Sequence, residues 1–269
     1  MSRSILSEGK PRDDFHRRAL LVAHDSGTPF LVGGGHALCW HTGGADRLTS
    51  DLDLVVLPED VGRLLDAFAK AGFRTEIAFP HWLAKGWSNG RFVDVIFGSG
   101  NGAIRVDKEW FDHAVPGWLL GVPVRFCPPE ESIWTQSFVM ERERYDGADV
   151  AHLLRACGRQ LDWPRLVERF GANWQVLLAH LVLFGFIYPG ERAAIPGYVL
   201  QELLGRLEAE QDQSLDGEPI CRGTLLSRAQ YQVDVSRRGY RDARVRPLGG
   251  MSETEAARWT QAARQGVRR

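Results

Sequence analysis

Hydrophobic and polar positions alternate with two different periods along this chain, and the change of period divides it. Residues 13–26 predict a helix, with acids at its start and Phe15, Leu20, Val22 and Ala23 as apolar positions. Pro29 ends it, and Phe30-Leu31-Val32 reads as a short buried strand running into Gly33-Gly34-Gly35. A second helix starts over residues 36–41 and stops at Gly43-Gly44. Residues 51–57 form a strand with alternating carboxylates at its beginning and an apolar run at its end. Pro58-Glu59-Asp60 opens a helix whose apolar face is Val61, Leu64, Leu65 and Phe68, closed by Gly72. Residues 73–79 and 91–97 read as a strand pair separated by a segment containing Gly and Trp, and residues 121–126 as a further strand.

After Pro128-Pro129 the period is helical, with helices expected over 130–143, 149–160, 164–170, 175–186 and 198–211. Ser252-Glu253-Thr254-Glu255 is a capping-box pattern for a last helix. The pattern therefore predicts an α+β protein. A small mixed β-sheet domain with flanking helices spans residues 1–127, a mainly helical subdomain spans 128–220, and an Arg-rich C-terminal extension spans 221–269.

Composition adds little to this and excludes much. The 269 residues are 44% hydrophobic and 25% charged, with a net charge of −1, which fits a globular chain rather than a disordered or fibrous one. Cys39, Cys127, Cys157 and Cys221 form no C-x-x-C pair, which argues against a zinc ribbon or disulfide scaffold and suits a reducing cytoplasm. The polar N-terminus reads as no signal peptide. The apolar run 174–188 contains Gln175 and His180 and stops at Pro189, so a buried core helix is expected rather than a membrane span. Charge is uneven: residues 221–269 carry 11 Arg and no Lys against four acids, a net +7 on a body of −8. Such a tail can bind phosphates or RNA, or dock on its own acidic body.

The chemistry concentrates in FLVGGGHALCWHTGGADRLTSDLDLVVL, residues 30–57. Asp51 and Asp53 lie two apart on a strand and project to one side, about 7 Å from each other along it. Carboxylates so placed repel unless a cation lies between them, and oxygen-only ligands suit Mg²⁺ or Mn²⁺. Asp94 interrupts the apolar run Phe92-Val93-Asp94-Val95-Ile96-Phe97. An acid there is costly to bury alone, so it faces a metal, a base partner or a cleft, or pairs with an arginine such as Arg91 or Arg105. Gly34-Gly35, between a buried strand and a helix, offers bare N–H groups to a phosphate, and Thr49, Ser50 and Arg47 add hydroxyls and charge.

The order G-G, x-A-L, H, R-x-T-x-D-x-D and an apolar strand resembles the nucleotidyltransferase superfamily related to DNA polymerase β. The nearest look is to its AbiEii-like and aminoglycoside-nucleotidyltransferase-like bacterial branches. Gly34, Gly35, Ala37, Leu38, His41, Arg47, Thr49, Asp51 and Asp53 carry the match, followed by Leu54-Val55-Val56. Downstream, Pro129-Glu130-Glu131-Ser132-Ile133 and the stretch from Tyr145-Asp146 through Asp149 to Leu153-Leu154 continue it. The resemblance covers about residues 28–170. It implies transfer of a nucleoside monophosphate from an NTP to an acceptor hydroxyl, with pyrophosphate released. Asp51, Asp53 and Asp94 would hold the metal and carry catalysis, and Gly34, Gly35, Arg47, Thr49 and Ser50 would hold the nucleotide. Two lysines of the family pattern are replaced: the phosphate-contacting one falls near Gln136, and the other falls on Tyr145, with Arg142 and Arg144 as nearby substitutes that would contact the nucleotide.

Other motifs fail. The third glycine of a dinucleotide fingerprint is Leu38, and no G-x-x-x-x-G-K-[ST] exists. His16 and His24 read as surface positions of an amphipathic helix, and His41 and His152 as packing or capping residues. Trp82 and Trp87 are expected in a loop near Asp94, where they can line a pocket. A catalytically weak nucleotide-binding or toxin–antitoxin-type interaction module on the same fold is the alternative reading.

Overall fold

A computed structural model describes residues 4–5, 11–44, 51–211 and 219–266. The chain divides into two compact units, residues 1–128 and 129–269. The first is α+β and the second mainly helical.

In the first unit the elements run β1 (Ser4–Ile5), α1 (Pro11–Asp25), β2 (Leu31–Val32), α2 (Gly34–Thr42), β3 (Leu52–Val55), α3 (Val61–Lys70), β4 (Arg74–Phe79), β5 (Leu83–Ser88), β6 (Arg91–Ile96), α4 (Lys108–Asp112), β7 (Val115–Leu119) and β8 (Val122–Phe126). The strands form one mixed sheet in the order β1-β7-β8-β2-β3-β6-β5-β4. Inside it β3 and β6 pair in parallel, with Leu52 opposite Val93, Asp53 opposite Asp94 and Leu54 opposite Val95. Alternation sends Leu52, Leu54, Val93 and Val95 into the core, where all four are fully buried. Helix α3 lies on that face. Its Val61, Leu64, Leu65 and Phe68 recur at helical spacing and are buried, and a Cβ added at Gly86 of β5 would come within 3.5 Å of the Phe68 ring. The opposite face of the same strands carries the half-buried Asp53, Lys85 and Asp94.

Two sequence expectations change here. The Gly- and Trp-containing segment between residues 79 and 91 is itself a strand, β5, lying between β4 and β6, so those two never pair directly. Strand β7 was also not expected; its hairpin with β8 turns at Leu120-Gly121, both at positive φ. Neither segment shows clean alternation: Gly86 stands in one, Pro116 and Gly117 in the other.

The second unit contains α5 (Pro129–Ser137), α6 (Gly147–Cys157), α7 (Trp163–Phe170), α8 (Trp174–Ile187), α9 (Gly197–Gln211), β9 (Ile220–Cys221), α10 (Gln232–Arg238), β10 (Arg241–Asp242) and α11 (Glu253–Gly266). Helix α5 ends six residues before the expected 143. The capping box at 252–255 forms, with the Glu255 carboxylate accepting from the Ser252 N–H at 2.7 Å and the Ser252 hydroxyl accepting from the Glu255 N–H at 3.2 Å. Helix α8 is not buried all round. Leu177, Leu178, Leu181 and Phe184 face inward, but Val182, Leu183, Phe186 and Ile187 are exposed, Phe186 at 83%. By length and composition the run Trp163–Ile187 could cross a membrane, although a 3₁₀ turn, Gly171–Asn173, divides it into α7 and α8.

The basic tail is folded into this unit. The Met140 N–H donates to Leu226 O, Glu141 accepts from the Ser227 hydroxyl at 2.5 Å and pairs with Arg228 at 3.1 Å, and Arg222 reaches Ala172 O. Arg238 pairs with Asp234, and Arg244 with Asp242 at 2.6 Å. The start of this segment, residues 222–228, is thus tied to Met140, Glu141 and Ala172 of the same unit.

Candidate functional site

The site grows from the end of β2. Gly33 donates its N–H to Asp53 O at 2.9 Å, tying the turn before α2 to β3. Gly34 follows at φ +53°, and a Cβ there would stand 1.7 Å from Asp53 Oδ2. Only glycine lets backbone pass this close to the carboxylate in this conformation. Gly35 is the second residue of α2, and Ala37 and Leu38 bury the helix against the core. His41 Nε2 donates to Cys127 O at 2.8 Å, tying α2 to the residue after β8.

Asp53 faces Asp94 in direct register across the parallel pair, on one side of the sheet. Asp51 stands exposed just before β3 and is felt electrostatically by Asp94. Among the described residues no three His, Cys, Asp or Glu side chains stand close enough together to hold a metal ion. The expected convergence of three acids is therefore reduced to a close pair with Asp51 at its margin. The donor set, all carboxylate oxygen, fits a hard divalent cation in kind.

Asp94 has a partner that the sequence did not suggest. Lys85, opposite it on β5, brings Nζ to 2.5 Å from Asp94 Oδ1, with both side chains 18% exposed. The ion-pair alternative thus holds with a lysine in place of Arg91 or Arg105. Burial pushes the Asp94 carboxyl above the ordinary carboxylate range; Lys85 pulls the other way, and the Asp51 charge adds to the rise. Lys85 is itself clasped by aromatics, with Nζ 3.9 Å from the Phe92 ring centre and 5.8 Å from that of Trp87. Trp87 is on β5 and packs on Phe92 at 4.9 Å, not in a loop. The missed signal was the spacing Lys85-x-Trp87, one face of a strand, in a segment read as a connection.

Of the other expected nucleotide contacts, Arg47, Thr49 and Ser50 lie outside the described residues. Arg144 is in the second unit, where its guanidinium grips Asp146 through Nε and Nη2 at 2.9 and 2.6 Å. Asp146 and Asp149 are buried, while Tyr145 is exposed and stacks beside His180.

Behind the glycine turn lies a histidine pair, His16 of α1 and His36 of α2, with ring centres 5.7 Å apart and planes at 86°. His16 is 2% exposed, against the expectation of a surface position. His36 Nε2 is sealed from solvent with no hydrogen-bond partner. Burial, then the neighbouring His16 and Arg12 charges, hold the His36 pKa down to about 4, and burial lowers His16 as well. A histidine depressed in the fold stabilises it above its unfolded pKa of 6.5, and this contribution is lost as pH falls toward 4. His36 alone should account for up to about 3 kcal/mol over that window. Urea denaturation at pH 7 and pH 4.5 checks this: His36→Gln should flatten the acid-side loss, and a slope equal to that of the unsubstituted protein would contradict it.

No protein-family model and no curated protein matches the chain. Among solved structures it is similar to ANT(2″)-Ia in complex with adenylyl-2″-tobramycin, at 18% identity, covering 66% of this chain and 99% of that one with a TM-score of 0.42. It is also similar to the lincosamide antibiotic adenylyltransferase LnuA, lincomycin-bound, at 12% identity, 55% and 98% coverage and a TM-score of 0.39. A third is an antigenic nucleotidyltransferase-like protein from Paracoccidioides brasiliensis, at 16% identity, 63% and 91% coverage and a TM-score of 0.36. Likeness of this degree fixes neither activity nor substrate.

Proposed function

We propose that this chain is a metal-dependent nucleotidyltransferase, moving a nucleoside monophosphate from an NTP to an acceptor hydroxyl of a small molecule, RNA end or protein. One observation carries the reading: Asp53 and Asp94 stand side by side on adjacent parallel strands, with the Gly34 backbone laid against the first of them. Asp51, Asp53 and Asp94 would hold Mg²⁺ or Mn²⁺, which when bound neutralises charge on the phosphates. The bare N–H groups of Gly34 and Gly35, at the positive end of α2, receive phosphate oxygens. Arg47, Thr49 and Ser50 belong to the same proposal as further nucleotide contacts. Asp94, held through Oδ1 by Lys85, takes the acceptor proton on Oδ2. The acceptor oxygen bonds to the α-phosphorus, the bond from that phosphorus to the β-bridging oxygen breaks, and pyrophosphate leaves with the electron pair.

Incubation with α-labelled ATP, CTP, GTP or UTP and Mg²⁺, with pyrophosphate release as the readout, tests this. Binding of none of the four overturns it. The binding-only alternative is favoured by the engagement of Arg144 with Asp146, in place of the nucleotide contact expected of it. That module would take up NTP–Mg²⁺ in calorimetry without releasing pyrophosphate.

A further inference from the structure

Lys85 is an addition to the acid cluster that the nucleotidyl-transfer reading does not use for metal binding. Across strands β4, β5, β6 and β3 one row of registered positions reads Glu76, Lys85, Asp94, Asp53. Glu76 turns to Arg74, at 3.6 Å. The Lys85 ammonium is directed to Asp94 at 2.5 Å and backed by the faces of Phe92 and Trp87, which fix a cation where it stands. A divalent ion bridging Asp53 and Asp94 through Asp94 Oδ1 would have to displace this ammonium and place two positive centres within a few ångströms, on the order of a strong like-charge repulsion in a half-buried setting.

Resting on the proposed function, and narrowing its metal ligands from three acids to Asp51 and Asp53, we infer that Lys85 takes the place of one divalent cation: its ammonium neutralises Asp94, and the nucleotide complex of this protein holds a single divalent ion, at the Asp51–Asp53 side of the cluster. Lys85 is then a positioning residue, aligning Asp94 beside the acceptor while a metal serves the triphosphate. Only the lysine's fixed charge is needed, so arginine substitutes for it and an uncharged side chain does not.

The test counts ions rather than turnovers. The full chain is titrated with Mn²⁺ in the presence of a non-hydrolysable NTP analogue, with stoichiometry read by calorimetry and by the loss of the free-Mn²⁺ paramagnetic resonance signal. The expected result is one ion per chain for the unsubstituted protein and for Lys85→Arg, and two for Lys85→Met and Lys85→Gln. Two ions in the unsubstituted protein, or one in a folded Lys85→Gln, overturns the inference and leaves nucleotidyl transfer standing. No Mn²⁺ and no nucleotide bound by the unsubstituted chain overturns both. The count on the unsubstituted protein decides even where a variant fails to fold.

Discussion

Glu131→Ala is expected to cost the second unit about 3–5 kcal/mol, the usual penalty for removing one partner from a buried ionic cluster. Glu131 is fully buried on α5 and faces α7, where Arg165 donates to it through Nη1 and Arg169 through Nε at 3.1 Å. Arg165 also pairs with Glu130 at 2.7 Å, and Glu130 in turn accepts from the Asp162 N–H at the start of α7. Both guanidinium groups are only about one-tenth exposed, so removing Glu131 leaves two buried cations with one carboxylate fewer. Desolvation raises the Glu131 carboxyl above its ordinary range despite the two arginines, which marks how costly its burial is. A double variant, Glu131→Met with Arg169→Leu, removes one charge of each sign and should recover most of the loss, because apolar replacements of a buried pair are often close to neutral. Urea denaturation of the two variants measures this. A single variant within about 1 kcal/mol of the unsubstituted protein would show that water reaches the cluster.

This cluster also shows what was and was not legible in the sequence. The resemblance marked Pro129-Glu130-Glu131 as the opening of a helix, and helix α5 starts there. Its acids, however, serve packing between helices, a use that depends on which arginines arrive 34 and 38 residues after Glu131. Periodicity likewise located α3, α7 and α9 closely, because a helix buries a stripe that recurs in the chain itself. The strands were legible where alternation was clean, as at Leu52-Asp53-Leu54, and not where Gly86 or Pro116 interrupts it.

For the site, local spacing put Asp51 and Asp53 on one side of a strand, and the apolar run around Asp94 marked an acid needing a partner. The pairing of β3 with β6 then set Asp53 against Asp94. What spacing could not supply was the cross-strand neighbour. Lys85 lies nine residues before Asp94 and meets it only because a hairpin folds β5 back on β6. The same holds for His16 and His36, 20 residues apart in sequence and edge to face in the fold, where a helix position read as surface proves to be interior.

Gly34→Ala should lower nucleotide turnover about a hundredfold or more, since displacement of a reacting or metal-holding group by an ångström is enough for that. Two separate costs arise at this position. The backbone is left-handed, φ +53°, which a residue with Cβ adopts at a cost of about 1–2 kcal/mol. The added methyl would also stand 1.7 Å from Asp53 Oδ2 and 2.8 Å from its Cγ, so the carboxylate must rotate away or the turn must lift. Either movement breaks the pairing of glycine turn and acid on which nucleotide binding is proposed to rest. The two costs separate in a double variant: Asp53→Ala removes the carboxylate atoms at 1.7 and 2.8 Å and leaves only the Cβ of residue 53 at 3.3 Å, so Gly34→Ala in that background should lose little more than the backbone share of stability. Gly62→Ala in α3, with nothing within 4 Å of the new methyl, is the control and should be neutral or slightly stabilising. Denaturation midpoints and pyrophosphate release for the four variants and the unsubstituted chain decide the matter. Turnover of Gly34→Ala within threefold of the unsubstituted chain would mean that the phosphates bind elsewhere than at this turn.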